Sequence, residues 1–129
     1  MIEMYADIEY YVCEYEGIKL NESNRAERLR YASDCVDILT YGRIRRIGFD
    51  ELTKFQQNTI LEFCCRLAEW QAENEELISG AVKNYSINGV SVQYDTSSGA
   101  VITQNGVVMP KMLYTMLVST GLCYGGLSL

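Results

Sequence analysis

The chain has 129 residues, 48% of them apolar and 22% charged, with a formal net charge of −6. That length suits one domain with a core large enough to need no staples, and the acidic balance argues against a chain that binds nucleic acid over its whole surface. There is no histidine, so the commonest general base and the commonest metal ligand are both missing.

The N-terminal stretch is acidic, without the positive region and long apolar run of a signal peptide, and no apolar run in the chain approaches the ~20 residues of a membrane span. Nothing marks export or membrane insertion, so a protein made in the cytoplasm, with no membrane partner, is expected. In "ADIEYYVCEYEG", Ile8, Tyr11, Val12 and Tyr15 fall on one helical face. Asp7 can start that helix, and Gly17 can close it in the left-handed conformation.

A second helix is predicted in "NRAERLRYASDCVDILTYG", with Asn24 and Glu27 in capping-box register. Leu29, Ala32, Val36 and Leu39 form its buried stripe, with Cys35 beside it, and Gly42 ends it. Six of the 11 lysines and arginines are Arg25, Arg28, Arg30, Arg43, Arg45 and Arg46. The tight group Arg43, Arg45 and Arg46, in the connector "RIRRIGF", can pair with carboxylates of this chain or of a partner, or can meet phosphate.

Asp50 is expected to cap a long helix over roughly residues 51 to 78. Phe55, Ile60, Phe63, Cys64, Leu67, Trp70 and Leu77 lie on its apolar side. On the order of 40 Å of helix is long for so small a domain, so part of it should pack on something besides this chain's own core. The acids of "ENEE" spread round the helix and read as a solvated face, not a metal or acid–base site. The five cysteines, Cys13, Cys35, Cys64, Cys65 and Cys123, are odd in number and irregularly spaced. Neighbouring Cys64 and Cys65 point about 100° apart on a helix. Reduced thiols acting as small core residues are expected.

At Gly80 the period changes. Tyr85, Ile87, Val90, Val92 and Tyr94 alternate about Asn88–Gly89, which predicts a β-hairpin over residues 84–95. A second Asn–Gly, in "AVITQNGVVM", can extend it. A hairpin alone is marginal in water and needs either this chain's helices or another subunit. Pro110 then opens a last helix with Leu113, Met116 and Leu117 buried, and Gly121 ends it. After Lys111 there is no charged side chain, and residues 121–129 hold three glycines. Leu122, Tyr124, Leu127 and Leu129 in this tail suit anchoring in apolar pockets of a partner. The fold expected is mainly α, one domain over residues 1–129: a bundle of about four helices with one hairpin and an extended tail. No catalytic motif, phosphate-cradling glycine loop or cofactor signature is present, so no catalytic, metal or cofactor-binding residue is assigned.

The segments "ADIEYYVCEYEG", "ERLRYASDCVDILTYGRI", "KNYSINGVSVQYD" and "STGLCYGG", in that order, resemble the head–tail connector proteins (adaptor or head-completion proteins) of long-tailed bacteriophages and prophages. The family's closing Thr-Gly-Leu-x-Tyr pattern corresponds to Thr120, Gly121, Leu122, Cys123 and Tyr124. The link "SSGAVITQNGVVMP" is longer than usual. The resemblance implies a virion neck protein made in the bacterial host, assembled as a ring of about twelve copies. Such a ring binds under the portal protein, lets DNA pass without sequence-specific binding, and presents a platform to a downstream neck or tail-completion protein. Residues 85–94, the tail and the Arg43–Arg46 group are the candidate partner surfaces. Two other readings stand beside it. One is a small helical nucleic-acid-binding regulator using the arginine connector. The other is a thiol enzyme using Cys64 or Cys123.

Overall fold

The computed structural model describes residues 4–88, 94–96 and 99–123. The fold is mainly helical with an antiparallel hairpin, as the periodicities imply. Its helices are α1 (Arg25–Leu39), α2 (Arg43–Ile47), α3 (Lys54–Glu73), α4 (Glu75–Asn88) and α5 (Lys111–Val118). Strands β1 (Tyr94–Thr96), β2 (Gly99–Gln104) and β3 (Val107–Pro110) make one sheet in the order β1-β2-β3.

The core lies between α1 and α3 and is closed by α5 and the N-terminal segment. Leu29, Ala32, Cys35, Val36 and Leu39 of α1 are buried, as the stripe requires, against Ile60, Phe63, Cys64, Leu67 and Ala68 of α3 and Leu117 of α5. Tyr41 and Gly42 stop α1 with φ of 56° and 73°, and the Gly42 N–H closes back on the Asp37 carbonyl at 2.9 Å. The Asn24–Glu27 capping box does not form. The chain enters α1 through a turn at Asn21, and Asn24 has ψ 0°, with no side-chain capping bond. An N-cap side chain normally reaches the first turn from extended backbone, which this entry does not supply.

The N-terminal segment departs from an α-helix. Asp7 starts it as expected, accepting from the Tyr10 N–H at 2.8 Å. Residues Tyr10–Glu14 then form a π turn, with the Tyr15 N–H on the Tyr10 carbonyl. The wider turn stacks Tyr11 on Tyr15, ring centroids 5.7 Å apart, and leaves Ile8 and Val12 exposed. Glu16, not Gly17, takes the left-handed conformation, at φ 59°. Gly17 is needed for space, because a Cβ there would lie 2.2 Å from the Tyr11 ring.

The long helix is shorter and starts later than expected. Asp50 sits in a 3-10 turn (Phe49–Glu51), and Thr53 is the N-cap. Thr53 Oγ1 accepts from the Gln56 N–H at 3.1 Å, and Gln56 Oε1 accepts from the Thr53 N–H at 3.0 Å. Thr53→Ala is expected to cost about 1 kcal/mol in chemical denaturation; an unchanged midpoint would show the box contributes nothing. Phe55, in the first turn, is exposed. The helix breaks at Asn74, whose side-chain amide donates to the Trp70 carbonyl at 2.8 Å in place of a helical backbone bond.

Helix α4 runs through Asn88, so the hairpin expected over residues 84–95 is not where the first Asn–Gly put it. Tyr85 and Ile87 are helical. In sequence, Leu77, Ala81 and Tyr85 are also spaced by four, and this helical period prevails over the alternation. Val90 and Val92 lie outside the described residues, and Tyr94 begins β1. The hairpin turn is the second Asn–Gly, with Asn105 at φ 52° and Gly106 at φ 84° and Gln104 paired to Val107 across it. Both central residues being left-handed matches the two-residue turn that Asn–Gly favours. Val101 and Val108 pack on Trp70, Leu77 and Ile78, so this chain's own helices carry the sheet. No helix among the described residues is long and apolar enough to cross a membrane.

Candidate functional site

Helix α5 lies against α3 in the opposite direction. Pro110 and Met112, at its start, share a hollow of about 230 Å³ with Trp70 and Glu73. Beyond its end, the Thr120 carbonyl accepts from Gln56 Nε2 at 2.9 Å. The sheet therefore sits at the C-terminal end of α3, and Thr120 lies at its N-terminal end.

At that second end the predicted arginines and the first tail anchor come together. Arg43 is 7% exposed and donates through Nη1 to the Leu122 carbonyl at 2.9 Å. Its guanidinium also lies 5.7 Å from the centroid of the Tyr41 ring. Arg45 Nε pairs with Asp37 Oδ2 at 2.9 Å and its guanidinium covers the Tyr5 ring. Arg46 Nη1 donates to the Tyr41 carbonyl at 3.1 Å. All three are thus engaged by their own chain. Leu122, expected to anchor on a partner, is buried in the core instead. Gly121, at φ 76°, turns the backbone back, and the Arg43 bond holds it there. Tyr124, Leu127 and Leu129 lie outside the described residues. Exposed Tyr41, Ile47, Phe55 and Val118 belong to the segments that meet at this end.

A buried polar set that the sequence reading did not single out fastens the N-terminal segment. The Tyr11 and Tyr15 hydroxyls donate to the two oxygens of Glu69, at 2.7 and 3.0 Å, and Tyr11 Oη accepts from the Leu20 N–H at 2.9 Å. Glu69 is 8% exposed. Its place on the buried side of α3, between Phe63 and Gln71, was the available signal: a carboxylate in an apolar stripe needs donors, and the tyrosine-rich start supplies them. Burial, and then donation to Glu69, hold the Tyr11 hydroxyl up at about 12, and the same causes raise Tyr15. Cys35 is pushed up to about 11 by burial.

These shifts fix the sign of a pH dependence. The unfolded tyrosine and thiol lose their protons first, near 10.0 and 9.0, and the folded ones near 12 and 11. The folded state therefore holds more protons in between, and stability falls as pH rises. Denaturation midpoints are expected to be unaffected by these groups below about pH 8 and to drop between pH 9 and 11. A midpoint that rises over that interval would contradict the burial.

Burial also pushes up the thiols the enzyme reading would use. Cys64 is fully buried, and half-buried Cys123 is raised to about 11; the protonated thiol is a weak nucleophile. No group of three or more acidic or cysteine side chains that could hold a metal ion occurs among the described residues. Compared with protein-family models, curated proteins and solved structures, the chain matches none.

Proposed function

We propose that the chain is a structural protein of the virion neck, a ring-forming head–tail connector that binds under a portal. The ring extends the DNA channel and carries the next neck or tail protein. The reading starts from the ordered resemblance of four segments and is supported by one arrangement in the fold. The sheet and residues 120–122 lie at opposite ends of α3, about 20 Å apart along the helix. A subunit that must meet one partner above and another below needs two such ends. The net charge of −6 suits a channel wall past which DNA slides.

The assembly segment in this reading is residues 124–129, because Leu122 belongs to the chain's own core. Removing 124–129 should leave helical content and melting unchanged while abolishing attachment to portals, read by light scattering and electron micrographs of the mixture. A truncated chain that still decorates portals, or a full-length chain that forms no ring with or without them, sinks the proposal. A salt-sensitive DNA complex of the monomer would favour the regulator instead.

A further inference from the structure

One face of α1, beside Gln71 of α3 and the first turns of α4, carries a groove that the neck reading does not use. Two adjoining hollows form it, of about 470 and 280 Å³, with Arg28 and Tyr31 lining both. Asn24, Glu27 and Asp34 line the larger; Gln71, Glu75 and Ile78 line the smaller.

Gln71 is the informative residue. It is 4% exposed, and its Nε2 is turned to the Cys35 sulfur at 4.0 Å. That leaves its buried Oε1 with no hydrogen bond, and the buried Oδ1 of Asn24 also has none. Leaving a buried acceptor unpaired costs the desolvation of that group. Both unpaired atoms among the described lining residues are acceptors, which a donor suits. Around them, Glu27 and Asp34 are exposed carboxylates. Tyr31 is 55% exposed. Of the two cations in the lining, Arg28 is ion-paired to Glu75, and Arg30 has an interaction of its own.

We propose that this groove receives an arginine side chain from a basic segment of a partner protein. A guanidinium offers several N–H donors in one plane, enough to reach an amide oxygen and a carboxylate together while its face lies on a tyrosine ring. A compact ammonium cannot make the same set of contacts. An acidic chain is a natural receptor for a basic segment, since the charges also steer encounter.

The test uses the full chain and three capped tripeptides, Gly-Arg-Gly, Gly-Lys-Gly and Gly-Glu-Gly, titrated by NMR. The arginine peptide should shift the Tyr31, Gln71 and Ile78 signals saturably. Its binding should weaken about tenfold in the rim variant Glu27→Gln/Asp34→Asn and in Gln71→Leu. The rim positions are exposed, so that variant decides the matter if Gln71→Leu fails to fold. No saturable shift at these residues, equal binding of the lysine or glutamate peptide, or unaltered binding in the rim variant overturns the proposal.

Discussion

Phe63→Ala is expected to lower the unfolding free energy by about 3–5 kcal/mol, the range for removing a fully buried aromatic ring from a packed core. Phe63 is 0% exposed on α3 and belongs to the core cluster that also holds Ala32 and Val36 of α1 and Leu67 of α3. The cluster draws on two helices, and neither can close on a cavity without moving against the other. Trp70→Ala, which the apolar pattern of the helix places on the same footing, is expected to cost less. Trp70 is only partly buried and packs on the smaller cluster of Val101 and Val108. Chemical denaturation of both variants checks the ranking; a cost below about 1 kcal/mol for Phe63→Ala would mean that the Phe63 ring is not held in a packed core.

Gly17→Ala should be nearly as damaging although it adds a single methyl group. The new Cβ would sit 2.2 Å from Cε1 and Cζ of Tyr11. The ring cannot swing away cheaply. It is fully buried, stacked on Tyr15, and its hydroxyl holds both Glu69 and the Leu20 N–H. Moving it would strand a buried carboxylate oxygen and a backbone donor, so overpacking of about 1–3 kcal/mol is joined by about 1–3 kcal/mol for each group left unpaired. A double-mutant cycle isolates the cause. In a Tyr11→Leu background, where the ring is already gone, the added cost of Gly17→Ala should shrink to a few tenths of a kcal/mol. Equal costs in both backgrounds would show that the glycine serves the backbone and not the ring.

Much of the architecture could be read along the chain, because it rests on local periodicity and local turn chemistry. The α1 stripe from Leu29 to Leu39, the stop at Gly42, the buried face of α3 from Ile60 to Leu67, and the helix after Pro110 all follow from residues within a few positions of one another. The true start of α3 was also present as Thr53 and Gln56 in capping-box register, although Asp50 competed for the same role. The candidate interface was less legible. Arg43, Arg45, Arg46 and Leu122 stand out by composition, but composition does not say whether a side chain turns inward or outward.

The sequence by itself determined the mainly helical class, a hairpin closed by an Asn–Gly turn, and most of the core residues. Each of these depends on spacing, and spacing is a property of the chain. Tertiary structure decided that, of the two Asn–Gly dipeptides, Asn105–Gly106 closes the described hairpin. Both suit positive φ, and the one at Asn105–Gly106 has flanking strands that can lay Val101 and Val108 on Trp70, Leu77 and Ile78. It decided that Leu122 closes its own core, since only folding brings the Arg43 guanidinium to the Leu122 carbonyl. It also decided the fate of Glu69. An acid in an apolar stripe is unfavourable along the sequence, and it becomes a fastening only when Tyr11 and Tyr15, more than fifty positions away, bring their hydroxyls to it. Contacts at that distance are set by how whole elements pack, and no local pattern encodes them.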